Sequence, residues 1–181
     1  MNDDMRTLLR IGLLCNNASL ARQNDGWAVR GTPTEGAILL AAHKARLDVE
    51  GLGKAQPRLA EVPFASEHKY MATLHSAESS HAVAMVKGAP DRVLAFCTHV
   101  LIDGQTVELT DERRAEIEAA NEEFAGQALR VVAGALRPMG EASEQLRRED
   151  VEEGLVFVGL WGLVDPPRPE AIQAVADAQG A

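Results

Sequence analysis

Three short segments, Leu59 to Phe64, Tyr70 to His75 and Ala82 to Val86, constrain this chain more than any other feature. Each is rich in Val, Met or aromatic residues and is separated from the next by a polar stretch, the pattern of an antiparallel meander. Helical signals stand on both sides of it. Met5 to Leu14 places Met5, Leu8, Leu9, Gly12 and Leu13 on one face, so an amphipathic helix is expected to end near Asn16 and Asn17. Thr32-Pro33-Thr34-Glu35 combines a capping hydroxyl, a proline at the first helical position and an acid three residues after the threonine. The apolar run Ala37 to Ala42 comes next, predicting a helix from about Pro33 to Asp48. The expected fold class is α+β, an antiparallel sheet flanked by helices.

The remaining elements obey the same rules. Trp27 to Arg30 is a short strand candidate, and Gly51, Gly53 and Pro57 mark a loop. Ala89-Pro90 opens a helix expected to run through Cys97. Val100 to Ile102, Asp103-Gly104 and Gln105 to Leu109 read as a hairpin, because Asp-Gly suits a tight primed turn. Thr110 caps a charged helix to about Gly126, Arg130 to Leu136 is a strand, and Leu155 to Val164 is a buried strand or two short ones. Asp165-Pro166-Pro167-Arg168-Pro169 holds the backbone extended and reads as a linker, after which Glu170 to Ala178 is helical. The division expected is one domain over 1–164, with 165–181 leading into a neighbour.

Charge narrows the function. The 18 Lys and Arg against 27 Asp and Glu give a net −9 in 181 residues. The whole excess sits in two stretches, Glu108 to Glu123 and Glu141 to Glu153, and the rest is balanced. No basic face is visible, which excludes an ordinary nucleic-acid binder but not a small anionic ligand. The longest nearly apolar run, Gly154 to Val164, is short of the roughly 18–20 residues that cross a membrane. Cys15 and Cys97 are expected as two reduced thiols. The histidines, at 43, 68, 75, 81 and 99, lack metal-ligand spacing, and no nucleophile elbow, triad or general phosphate-binding loop is present. No catalytic or metal-binding residue is assigned.

Several residues are placed for an anion or a nucleotide, each with a plainer alternative. Lys87 ends an alternating strand before Gly88-Ala89-Pro90, where helix N–H groups also favour negative charge; a solvated strand-end lysine is the simpler reading. Phe64 could stack on a base or fill a core. Arg130 could clamp a phosphate or be a surface arginine. Glu35 already completes a capping box.

Their joint order is more telling. Leu14-Cys15-Asn16-Asn17, Gly31 to Ala37, Pro63-Phe64-Ala65-Ser66-Glu67-His68-Lys69-Tyr70-Met71, Lys87-Gly88-Ala89-Pro90-Asp91 and Ala128 to Ala133 resemble, in this order, the cytoplasmic nucleotide-binding domain of P-type cation-transporting ATPases. Gly159 to Glu170 resembles the strand and hinge leading into that family's phosphorylation domain. The set is most similar to the type II pumps, the Ca²⁺-type and related ion pumps. Thr32 departs from the acid the family commonly has before Pro-Thr-Glu.

The resemblance implies an ATP site. Phe64 would stack on the adenine and Glu35 would accept from its exocyclic amino group. Lys87, with Met71, Gly88 and Ala89 beside it, would line the adenine pocket. Lys69 would sit near the nucleotide's polar side and Arg130 would contact the phosphates. Ser66 lies where many relatives place an arginine. Asp165, Pro166, Pro167 and Arg168 would be a hinge strand. It further implies a cytoplasmic part of an integral membrane protein, expected in the plasma membrane, working with phosphorylation, actuator and transmembrane domains of the same chain and with Mg²⁺ accompanying ATP. Lacking the phosphorylated aspartate, the chain itself is expected to bind ATP without forming a phosphoenzyme or transporting. The competing expectation is a non-catalytic interaction module with a degenerate pocket, its acidic stretches docking a basic partner.

Overall fold

A computed structural model describes residues 1–23, 26–77, 81–141 and 144–164, together with residue 178. The meander is present as β3 (Arg58–Ala65), β4 (Tyr70–Ser76) and β5 (His81–Gly88), each antiparallel to the next. Ahead of it come helix α1 (Asp3–Leu14), the two-stranded hairpin β1 (Ser19–Gln23) and β2 (Gly26–Arg30), helix α2 (Pro33–Lys44) and helix α3 (Val49–Ala55). After it come α4 (Pro90–Ala95), β6 (Cys97–Ile102), β7 (Gln105–Glu108), α5 (Asp111–Gly126), β8 (Arg130–Glu141) and β9 (Leu155–Leu163). The large sheet runs β3-β4-β5-β8-β9-β6-β7, and every pairing in it is antiparallel except β6 with β9. This is the expected α+β class, with a mixed rather than purely antiparallel sheet.

Strand alternation divides the apolar residues between the two faces of this sheet. Met71, Val83, Met85, Val158 and Trp161 pack with Leu9, Leu13, Ile38 and Leu39, so α1 and α2 cover one face. Tyr70, Ala72, Leu74, Ala84, Val86 and Phe157 pack with Val93 and Leu94 of α4, and Ile117 of α5 closes over that second layer. Two thin cores share one sheet, and both free cysteines are buried in them. Burial raises both thiols, Cys97 to about 12, which leaves them protonated near neutrality. Among the described residues no helix is long and apolar enough to cross a membrane.

Several boundaries differ from the sequence expectation, for identifiable reasons. The helix expected to Asp48 stops at Lys44, because Arg46 turns left-handed at φ 59°. Asp48 instead caps α3, accepting from the Gly51 N–H at 2.9 Å, so the expected loop around Gly51 and Gly53 is helical. Helix α4 ends before Cys97, which starts β6 and pairs with Leu155 of β9. Strand β8 runs five residues past Leu136, to Glu141, while its pairing with β9 ends at Leu136. Pro138 therefore sits on the stretch paired only to β5, where a missing N–H is tolerated. Strand β1 has no clear sequence signal. The Asp103-Gly104 turn is as expected, with φ of 50° and 77°. The linker Asp165, Pro166, Pro167 and Arg168 lies outside the described residues, as does most of the helix expected after it.

Candidate functional site

A cleft of about 1050 Å³ opens where the ends of β4, β5 and β8 meet the first turn of α2. Sheet register brings its parts together: Met71 pairs with Lys87, and Gly88 pairs with Tyr70 on one side and Ala133 on the other. Gly88 has no room for a side chain, since a Cβ would stand 2.5 Å from the Lys69 carbonyl oxygen. That carbonyl accepts from the Ala89 N–H at 2.9 Å, tying the turn before β4 to the start of α4. Glu35, Phe64, Lys69, Met71, Lys87, Gly88, Ala89 and Arg130 all line the cleft. Ser66, in the same turn as Lys69, does not line it.

At the inner end the chain has built a closed polar cluster. Lys87 is only 6 % exposed, and its Nζ donates to Glu35 Oε1 at 3.0 Å. The same oxygen accepts from the Asn17 N–H at 3.1 Å. The other, Oε2, accepts from the Thr32 hydroxyl at 3.1 Å, while Thr32 Oγ1 caps α2 by accepting from the Glu35 N–H at 3.3 Å. Desolvation pushes the Glu35 carboxyl up, but the Asn17 N–H, the Lys87 ammonium and the Thr32 hydroxyl together outweigh it and hold the group below the ordinary carboxylate range. The expected capping box is therefore not completed by Glu35: the cap uses its backbone N–H, while its carboxylate takes the Thr32 hydroxyl and the Lys87 ammonium, and the lysine is no solvated strand-end group.

At the rim the residues are open. Phe64 is 60 % exposed, because a register shift between Val62 and Ala65 on the edge strand β3 lets it leave the core. Pro63 is tolerated beside it since β3 has only one neighbour. Lys69 takes φ 59°, in a turn whose His68 and Lys69 N–H groups both bond to the Ala65 carbonyl. A non-glycine residue in that region is costly, in keeping with a side chain directed by its turn rather than by packing. Arg130 is exposed at the start of β8, opposite Leu163. Apolar wall comes from Met71, Val132 and Leu163.

The Asn16-Asn17 pair has no assigned role in the sequence, and the structure supplies one. Asn16 Nδ2 donates to the carbonyls of Gly12 and Glu35 at 2.8 and 3.0 Å, and its Oδ1 accepts from the Ala18 N–H at 2.8 Å. It fastens the end of α1 to the first turn of α2, and Asn17 then presents its N–H to Glu35. Two side-chain amides directly after an amphipathic helix are the signal that could have found this. One acid of the second acidic stretch is also not merely solvated: Glu152 accepts from the buried Tyr70 hydroxyl at 2.8 Å and from Arg148 at 2.7 Å.

Comparison with known proteins bears on this geometry. The family described as P-type ATPase, cytoplasmic domain N, matches residues 4–170. The chain is 44 % identical over 168 residues to the cation-transporting ATPase pma1 of Synechocystis, a match that covers 92 % of this chain and 18 % of that protein. It is 35 % identical over 177 residues to a calcium-transporting ATPase of Bacillus subtilis, covering 98 % of the chain and 20 % of the relative. It is 36 % identical over 181 residues to the probable cation-transporting ATPase F of Mycobacterium tuberculosis, covering 99 % and 20 %. The chain thus spans about a fifth of the length of the curated relatives it matches.

Proposed function

We propose a function from one premise: the chain belongs to the P-type ATPase cytoplasmic domain N family. The cleft binds ATP, base inward, and serves a cation-transporting ATPase by bringing the γ-phosphate to an aspartate of an adjacent phosphorylation domain. The observation that carries the reading is the pairing of an exposed aromatic, Phe64, with a largely apolar cleft that ends in a buried lysine–carboxylate pair. A planar base fits such a slot, since stacking needs one open ring face and selectivity needs a few fixed polar atoms.

Roles come from position. Phe64 stacks on the adenine, with Met71, Gly88 and Ala89 as wall. Glu35 has room for one more partner: a carboxylate offers about four lone-pair sites, and the protein fills two on Oε1 and one on Oε2. The remaining site on Oε2 suits the exocyclic amino group of adenine. Lys87 closes the inner end, Lys69 and Arg130 take the polar end and the phosphates, and Ser66 stands outside the contact set. ATP brings roughly −4 of charge, of which Lys69 and Arg130 offset a part, the Lys87 ammonium being neutralised by Glu35. Mg²⁺ enters with the triphosphate. In the whole pump the domain works with phosphorylation, actuator and transmembrane domains in the plasma membrane, and Asp165, Pro166, Pro167 and Arg168 form a hinge between 1–164 and the phosphorylation domain.

Titration of the chain with ATP and with adenosine tests this. Saturable, adenine-dependent binding that Phe64→Ala weakens supports it. No saturation at millimolar nucleotide would sink it.

A further inference from the structure

We propose that Arg58, which does not line the cleft, is a positioning residue for the nucleotide: its guanidinium fixes the Leu14 to Asn17 turn and, through the Asn17 N–H, the Glu35 carboxylate and its Lys87 partner. The inference rests on the nucleotide reading above and deepens it. Arg58 makes four hydrogen bonds. Nη2 donates to the carbonyls of Leu14 and Asn16 at 3.0 and 2.7 Å, and Nη1 donates to Asn17 Oδ1 at 2.6 Å and Glu61 Oε2 at 2.7 Å. Leu14 is the last residue of α1, so the cation also meets the negative end of that helix. The pair with Glu61 is partly exposed and contributes little. The grip on three acceptors of one turn is what matters, and it needs a planar fork that a lysine cannot reproduce.

The next link is short. Asn17 is held by its side chain to Arg58 and offers its backbone N–H to Glu35 at 3.1 Å. Asn16 locks the same turn to the Glu35 carbonyl. Arg58 stands at one end of β3 and Phe64 near the other. One edge strand therefore sets both the ring on which the base stacks and, through the turn, the carboxylate at the base's edge. The groups facing that carboxylate are the Asn17 N–H, the Lys87 ammonium and the Thr32 hydroxyl, so releasing the turn removes one of three donors.

The test uses the 181-residue chain with Arg58→Met, Arg58→Lys and Phe64→Ala, alone and in a Glu35→Gln background, well below the unfolding temperature. Affinities for ATP and adenosine are measured, with the pH midpoint of the Glu35 carboxyl by NMR. Arg58→Met is expected to weaken ATP and adenosine by the same factor, about three- to tenfold, and to raise the Glu35 midpoint. Arg58→Lys recovers only part of the loss, and neither Arg58 variant weakens binding further once Glu35 is Gln. Should Arg58→Met fail to fold, Arg58→Lys carries the same readouts at smaller size. Unchanged affinities, an unmoved Glu35 midpoint, or an equal loss in the Glu35→Gln background would overturn the positioning role. Loss in Phe64→Ala without loss in the Arg58 variants defeats this inference alone, whereas intact ATP binding in Phe64→Ala defeats the nucleotide reading itself.

Discussion

The inner end of the cleft and its rim are built on opposite principles. Inside, Lys87 and Glu35 are buried to 7 % and 14 % side-chain exposure, and Glu35 already has three donors. At the rim, Phe64, Lys69 and Arg130 are exposed to solvent. The inner pair is thus part of the fold as well as of the site, while the rim contributes little to the core. Burying an ion pair is costly and leaves much of its worth in the geometry it fixes, so breaking one partner should harm both stability and binding. Truncating exposed side chains at the mouth should harm binding alone.

Substitutions separate the two. Lys87→Met has the largest expected effect: it strands a mostly buried carboxylate, costing roughly 2–4 kcal/mol of stability, and abolishes measurable ATP binding, checked by thermal unfolding and titration. If stability is unchanged, the inner pair is not part of the fold. Phe64→Ala is expected to leave the unfolding temperature nearly unchanged and to weaken both ATP and adenosine by about 1–3 kcal/mol of stacking. Arg130→Ala should weaken ATP several-fold more than adenosine, since only ATP reaches it with charge. An equal effect on both ligands would move Arg130 away from the phosphates.

Acid gives a finer cut. Glu35 titrates below its ordinary range in the folded chain, so its contribution to stability is complete above the unfolded carboxylate pKa and is lost as pH falls through the lower folded value. Stability should therefore hold in mild acid and decline below the ordinary carboxylate range, adenosine affinity should fall at the lower pH where the folded Glu35 protonates, and Glu35→Gln should remove both responses. The smallest effects belong to the acidic connection. Glu149→Gln with Glu153→Gln should leave ATP affinity unchanged, whereas Glu152→Ala should cost about 1 kcal/mol of stability by stripping the Tyr70 hydroxyl of its partner.

How much of this was legible in the sequence depended on the range of the interaction. Local chemistry reads well: the Thr32 cap, the Asp103-Gly104 turn and the three meander strands all stand within a residue or two of expectation. Elements decided by distant partners do not. Cys97 reads as helical because nothing near it announces a parallel pairing with Leu155, and Gly51 reads as loop because the cap at Asp48 has no apolar run behind it. In the site, eight of the nine residues named from the ordered motifs meet in one cleft, and Ser66 does not. The Lys87–Glu35 pair and the Arg58 grip on residues 14–17 are invisible in the sequence, since they exist only after α1, α2, β3 and β5 have packed.

The most direct measurement is an NMR titration of the chain with ATP, monitoring the backbone amides of residues 17, 35, 64, 69, 87 and 130 in the native chain and in Phe64→Ala. Saturable shifts are expected at these positions and at few others, with affinity sharply reduced in a still-folded Phe64→Ala. Shifts that cluster elsewhere, or an unaltered affinity in that variant, would contradict a nucleotide site built on Phe64 and the Lys87–Glu35 pair.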